Sequence, residues 1–329
     1  MTEPFVRTPY IRPDVKVFVD YLNAVSSPGT HELGAIEARR MMAAMRPLID
    51  LPTGKLALIR NLAAPGPDGR PIPLRLYDSR AARAPGPVLV FFHGGGWVLG
   101  DLDTHEPLCA EIARMLDIPV IAVDYRLAPE HRWPAAPDDC EAAARWIAAA
   151  PAELERAVTG LVLAGDSAGG TLTIVTALAL RDVPAAVPVL AQWPIYPAVD
   201  AARKFASFDL FGQGYVLSRE TMDWYHENYA ADLDHWRGAP IRGDQGGMPP
   251  TLVLTASLDP LRDHGRTYAA ATIAAGVPTI FREAAGTVHG FLNLRRAIPS
   301  SQQDLAGALA TLKAMIAEAE TTRPAPAGA

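Results

Sequence analysis

From about residue 50 onward, short apolar runs alternate with longer amphipathic stretches, and this alternation constrains the fold more than any other feature. The runs predict strands at Leu56–Leu62, Ile72–Tyr77, Val88–Phe92, Val120–Val123, Leu161–Ala164, Val187–Trp193, Thr251–Ala256 and Thr279–Arg282. Several are unbroken Val, Ile and Leu, as expected of parallel strands covered on both faces. Helical spacing falls between them, at His105–Leu116, Pro137–Ala149, Gly169–Arg181, Asp263–Ala275 and Ser301–Ala319. The pattern predicts an α/β fold with about eight strands in a mostly parallel sheet flanked by helices. The first two strands have no helix between them and are expected to form an antiparallel edge.

Two regions lie outside the alternation. Residues 1–50 read as helices, including Leu33–Met45, and residues 198–247 interrupt the chain between the sixth and seventh strands. The sheet-forming core therefore comes in two parts, 51–197 and 248–320, and the tail 321–329 (TTRPAPAGA) has a composition that predicts disorder. Within the insertion the 32 residues from Phe205 to Trp236 hold Phe205, Phe208, Phe211, Tyr215, Trp224, Tyr225, Tyr229 and Trp236, a third of the chain's aromatic side chains in about a tenth of its 329 residues. Such a segment has to bury its rings against something.

Charge and cysteine content narrow the possible roles. Thirty Lys and Arg against 36 Asp and Glu give a net charge of −6, so no general field draws nucleic acid or an anionic membrane. Cys109 and Cys140 are too few for a disulfide framework in a chain this long. With no secretory h-region at the start and no apolar run of about 20 residues, the expected location is the cytoplasm.

The sharpest local signal is Leu161-Val-Leu-Ala-Gly165-Asp-Ser167-Ala-Gly169-Gly170, running from a strand into a helical pattern. G-x-S-x-G in that setting marks a nucleophile elbow, in which a strained turn lifts the serine Oγ above the sheet. The flanking glycines leave room for neighbouring backbone. The helix start behind the serine turns unpaired amides and a favourable dipole toward a developing anion. A second strand runs directly into His93-Gly-Gly-Gly-Trp97. Three residues without Cβ let main-chain amides approach a substrate carbonyl, as an oxyanion loop requires. A dinucleotide loop competes for this segment, with Asp124 as its ribose acid. The third glycine of G-x-G-x-x-G would then fall at residue 99, which is leucine, and Gly100 comes one place late.

An elbow serine in such a sheet takes an acid and then a histidine from later strands. His226 and His235 lie within the insertion, and His264 shares one loop with Asp259. His289 follows the last predicted strand, and Asp259 follows the one before it, so both project from the sheet edge that carries Ser167. Ser167, His289 and Asp259 are the expected nucleophile, base and orienting acid, with Asp263 the second candidate acid. A histidine base predicts activity that declines as pH falls through the ordinary histidine range, about 6.5.

Together His93-Gly-Gly-Gly-Trp97, Asp124-Tyr-Arg-Leu-Ala-Pro-Glu130, Gly165-Asp-Ser-Ala-Gly-Gly170, Asp259-Pro-Leu-Arg-Asp263 and His289-Gly-Phe291 resemble the bacterial hormone-sensitive-lipase-like esterases of the α/β-hydrolase superfamily. The resemblance covers about residues 50 to 320. It implies hydrolysis of small-molecule carboxylic esters, an oxyanion hole from the amides of Gly95, Gly96 and Ala168, and a cap built from the N-terminal helices and the insertion. It also suggests a homodimer. His264 stands where the family usually places an acid, which puts the local polar contacts of that loop in question. The aromatic rings either wall an apolar pocket for short-to-medium acyl groups, with Trp97, Phe205, Phe208, Phe211 and Tyr215 as candidates, or pack cap against core. Asp124 and Arg126 read as structural. No metal-ligand spacing or cofactor loop is present, so no metal or cofactor is expected. Amide hydrolysis on the same machinery, or a ligand-binding receptor of this fold, are the alternative readings.

Overall fold

The computed structural model describes residues 9–25 and 28–322. Among them eight strands form one sheet: β1 (Leu58–Pro65), β2 (Pro71–Asp78), β3 (Gly86–Phe92), β4 (Val120–Val123), β5 (Val158–Asp166), β6 (Val189–Ile195), β7 (Thr251–Leu258) and β8 (Thr279–Val288). Their order across the sheet is β1-β2-β4-β3-β5-β6-β7-β8. β1 pairs antiparallel with β2, β2 pairs antiparallel with β4, and every other pairing is parallel.

Both faces of the sheet are covered, which is why its strands read as continuous apolar runs. On one face lie α3 (Glu106–Leu116) and α9 (Ser301–Thr321); on the other lie α4 (Ala135–Ala148), α5 (Ala168–Asp182) and α8 (Arg262–Ala274). Successive strand residues feed the two cores in turn. Val88, Val90 and Phe92 point to the α4/α5 side, and Leu89 and Phe91 to the α3/α9 side. Helix α5 is buried from Ala168 to Leu180, so the most apolar stretch of the chain is a core helix. No helix among the described residues is long and apolar enough to cross a membrane.

The two cysteines are free and lie in different cores, Cys109 on the α3 side and Cys140 on the α4 side, so the sheet separates them. The two regions outside the alternation are helical. The first contains α1 (Pro13–Ala24) and α2 (Thr30–Ile49), the latter interrupted at Gly34, whose φ of 71° breaks the helical path. The insertion contains α6 (Ala206–Phe211) and α7 (Arg219–Tyr229), and α2 packs against α7. Helix α9 continues through Thr321, the first residue of the stretch expected to be disordered, and residues 323–329 lie outside the described chain.

Candidate active site

Strand β5 ends at Asp166 and α5 begins at Ala168, which leaves Ser167 alone on the turn with φ 56° and ψ −117°. That backbone position is rare for a residue with a side chain, so the surroundings must impose it. The Ser167 amide donates to the Ile195 carbonyl at 2.8 Å, and the Ser167 carbonyl accepts from Thr171 at 3.1 Å. Close backbone contact explains the flanking glycines. A Cβ on Gly169 would stand 1.9 Å from the Phe92 carbonyl oxygen, and one on Gly165 would stand 2.3 Å from the Gly169 oxygen.

His289 follows β8 directly, and Asp259 follows β7. The His289 Nε2 lies 2.9 Å from Ser167 Oγ, and its Nδ1 lies 2.7 Å from Asp259 Oδ2. The other carboxylate oxygen of Asp259 accepts from the Leu261 amide at 2.7 Å. With the carboxylate accepting the Nδ1–H hydrogen bond, Nε2 is left to accept from the serine hydroxyl. Asp259 is fully buried and His289 nearly so, while the Tyr196 ring lies 4.7 Å from the imidazole and helps fix its plane. The second candidate acid faces elsewhere: Asp263 accepts from the Ser207 amide at 3.0 Å and pairs with Arg262 at 2.8 Å.

The three glycines after β3 divide the work. The Gly94 amide donates to Asp166 Oδ1 at 2.8 Å and is therefore occupied. Among the described residues no acceptor takes the amides of Gly95, Gly96 or Ala168, so these three remain open beside Ser167 Oγ. A phosphate cradle would need the Gly94 amide, which the Asp166 carboxylate already holds and surrounds with negative charge.

Sequence reasoning passed over Asp166. Its carboxylate is buried and accepts from Gly94, accepts from the Asn293 side chain at 3.0 Å, and lies 3.3 Å from His105 Nε2. Burial alone would raise its pKa, but His105 and the donated hydrogen bonds outweigh it and hold the pKa below the usual carboxylate range. One side chain thus connects the elbow, the glycine loop and the turn after His289. Its place between two motif residues hid a separate structural role. Next to it, burial pushes the His93 imidazole down to about 4; its ring stacks on Tyr125 at 4.3 Å.

His264, the departure from the family pattern, is buried and neutral. Burial lowers its pKa to about 3, its Nδ1 accepts from the Val199 amide at 3.1 Å, and its ring lies 4.4 Å from Phe205. It secures the chain leaving β6. Arg126 accepts no chemical duty either: its guanidinium grips Asp139 at 2.8 and 2.9 Å and Asp68 at 2.9 Å.

Two cavities open on Ser167. The larger, ≈ 260 Å³, is bounded by Thr30, Met42 and Ile49 of α2, by Gly94–Gly96, and by His289, Gly290 and Asn293. The smaller, ≈ 30 Å³, is bounded by Trp97, Ala168, Leu217, Met222 and His226, among others. Tyr225 borders both. Of the five aromatic pocket candidates, Trp97 lines a cavity, whereas Phe205, Phe208, Phe211 and Tyr215 line neither. Phe205 packs on His264, Phe208 lies under Arg219, and Phe211 meets Tyr215 edge-on at 5.4 Å in a cluster with Val15 and Val19. The insertion spends these rings on attachment to the core and to α1. The walls missed from the sequence come from α2 and from one face of α7, Met222, Tyr225 and His226, whose i, i+3, i+4 spacing was the available signal. Among the described residues no cluster of His, Cys, Asp and Glu could hold a metal ion.

Comparison with known proteins adds a separate line of support. A family model described as alpha/beta hydrolase fold matches residues 89–293. The carboxylic ester hydrolase LipN of Mycobacterium tuberculosis is 43% identical over 72% of this chain, a match that spans 65% of LipN, just under two thirds of its length. The carboxylesterase NlhH of the same organism is 36% identical over 95% of this chain and 98% of its own. Among solved structures, the ester-hydrolase EH1AB1 from the metagenome of Lake Arreo, complexed with a derivative of bipyridine phosphonate, superposes with a TM-score of 0.88 at 36% identity, covering 93% of this chain and 99% of that one.

Proposed function

The chain belongs to the α/β-hydrolase fold family, among its hormone-sensitive-lipase-like carboxylesterases, and from that premise we propose that it cleaves small carboxylic esters of short-to-medium acyl length through Ser167, His289 and Asp259. The observation that carries the reading is the hydrogen-bonded line from Asp259 through His289 to Ser167, at 2.7 and 2.9 Å.

In this reading Ser167 Oγ attacks the ester carbonyl carbon as its proton passes to His289 Nε2, and Asp259 stabilises the resulting imidazolium. The carbonyl oxygen becomes an anion held by the amides of Gly95, Gly96 and Ala168. Collapse breaks the bond to the alcohol oxygen, which leaves with the proton from His289, and an acyl group remains on Ser167. Water then attacks the acyl carbon, gives a proton to His289, and releases the carboxylic acid as the proton returns to Ser167.

The helices of residues 9–50 and of the 198–247 insertion serve as the cap, a role supported by the cavity walls that α2 and α7 contribute. Residues 51–197 and 248–320 form the catalytic core. Two buried, unbridged thiols favour a reducing cytoplasm. A homodimer through the edge strand β8, where Ile280 and Phe281 are exposed, is the assembly proposed.

A fluorophosphonate should label Ser167, and Ser167→Ala should remove both labelling and at least about 10³-fold of the turnover of p-nitrophenyl butyrate. Labelling at a different serine would overturn the assignment.

A further inference from the structure

The Arg39 guanidinium, on α2, donates from Nε to the Val98 carbonyl at 2.7 Å and from Nη2 to the Ala128 carbonyl at 2.8 Å. Its terminal nitrogens also pair with Glu130, at 2.8 and 2.7 Å. Resting on the triad and oxyanion reading above, we infer that Arg39 is a positioning residue for ester cleavage. Acting through two peptide groups in series, it aims the Gly96 amide at the developing oxyanion and strengthens the hydrogen bond which that amide gives.

A trans peptide group is planar, with its C=O and N–H pointing in opposite directions, so whatever holds the carbonyl also aims the amide on the far side. One such group joins Gly95 to Gly96. Its carbonyl accepts from the Leu99 amide at 2.8 Å and from the Val98 amide at 3.1 Å. The Gly96 N–H is thereby turned the other way, to the open side beside Ser167. The Leu99 amide in turn shares a peptide group with the Val98 carbonyl, and Arg39 holds that carbonyl. The line therefore runs from the guanidinium through Val98–Leu99 and Gly95–Gly96 to the substrate oxygen. The Gly95 amide is aimed in the same manner from within the core, because its peptide partner, the Gly94 carbonyl, lies 2.8 Å from His93 Nδ1. Of the two glycine donors, Gly96 is the one whose line ends on the cap.

Two effects follow from this arrangement. The first is alignment. The Ala128 amide donates to the Trp97 carbonyl at 2.9 Å, so Arg39 clasps both sides of the contact between the glycine-loop turn and the loop after β4. Among the described residues no other donor reaches the Val98 carbonyl. The second effect is polarisation. A charged donor at one end of a chain of hydrogen-bonded amides strengthens each bond along it. That gain grows as negative charge develops at the other end, so it favours the transition state over the bound ester. Glu130 does not cancel it. Its side chain is 46% exposed, so solvent screens the carboxylate, whereas the Nε–H meets the carbonyl of the fully buried Val98.

The test compares the wild type with Arg39→Met, Arg39→Lys and Glu130→Gln on p-nitrophenyl butyrate. Arg39→Met should lower kcat about 10–50-fold, less than the loss of a whole oxyanion donor, while KM moves less than about twofold. The Ki of an alkyl trifluoromethyl ketone, whose adduct with a serine carries an oxyanion, should rise by the same factor as kcat/KM falls. Arg39→Lys still offers a charged donor to Val98 and should keep kcat within about fivefold of the wild type. Glu130→Gln leaves both carbonyl bonds in place and should keep kcat within about twofold. Titrating Ser167 with the fluorophosphonate counts active sites, so each kcat refers to folded enzyme. An unchanged kcat in Arg39→Met, a loss confined to KM with the ketone bound as before, or an equal loss in Glu130→Gln would overturn the inference and leave Arg39 as a fastener of α2. A wild-type enzyme that neither labels at Ser167 nor turns over ester defeats instead the triad reading beneath it.

Discussion

Asp50 and Arg295 lie 245 positions apart and form a two-pronged ion pair, Oδ1 to Nε at 2.8 Å and Oδ2 to a terminal guanidinium nitrogen at 2.9 Å, with both side chains almost completely buried. The Ile49 carbonyl next to it accepts from the amides of Arg296 and Ala297, both at 3.1 Å. The end of α2 is thus fastened to the segment that follows the histidine turn. Breaking such a pair from one side leaves a buried charge without a partner. Asp50→Ala should cost about 3–5 kcal/mol in urea unfolding, and the apolar double variant Asp50→Leu with Arg295→Met should recover most of it. Equal losses in the single and double variants would contradict this account.

Asp166 accepts two hydrogen bonds and faces His105, so an amide in its place must turn its –NH₂ toward a donor. Asp166→Asn should lower kcat about 10–100-fold while KM moves less than about threefold, because the amides of the glycine loop lose their alignment and not their number. Steady-state kinetics on a single ester decides the matter, and an unchanged kcat would remove the proposed link between elbow and loop.

Gly96 and Tyr225 occupy each other's space. A Cβ at Gly96 would lie 2.1 Å from the Tyr225 ring, so Gly96→Ala must displace either the ring or the loop. We expect kcat/KM to drop at least about 100-fold. Adding Tyr225→Ala should return much of that activity, with only the left-handed backbone cost of about 1 kcal/mol remaining. Additive losses in the double variant would rule out the steric explanation.

Two buried histidines make stability depend on pH. His93 and His264 are held by burial at about 4 and about 3. Below about 6.5 the unfolded chain takes up protons that the folded chain refuses, so stability falls as pH drops from about 6.5 toward those values, by about 2 kcal/mol per histidine at pH 5. His264→Asn keeps an acceptor for the Val199 amide and should flatten the stability slope between pH 5 and 6.5 by about one proton. Urea titrations at several pH values would expose a slope that does not change.

The sheet was legible because its chemistry is local. Runs such as Val88–Phe92 and Val120–Val123 are bounded by turns and apolar on both faces, and all eight expected strands form. Strand ends were less readable. β8 runs six residues past Arg282 to Val288, through Glu283-Ala-Ala-Gly-Thr, a stretch ordered by its ladder with β7 and not by its own apolarity. The residues that converge at Ser167 could be found from chain order, since each sits where a strand ends. The cavity walls could not. An excess of aromatics in the insertion says that burial is required but not in which direction, and Phe205 and Phe211 turned to His264 and α1. Thr30, Met42 and Ile49 enter the cleft only through the long-range docking of α2.

The buried pair between residues 50 and 295 also sets an order of events during synthesis. Helix α2 is made before every strand of the sheet, yet the arginine that holds it in place emerges only after all of them. The α2 wall of the cleft beside Ser167 is therefore written before the sheet and locked after it. Until Arg295 is made, the growing chain carries Ser167 without the α2 wall of its cleft fastened.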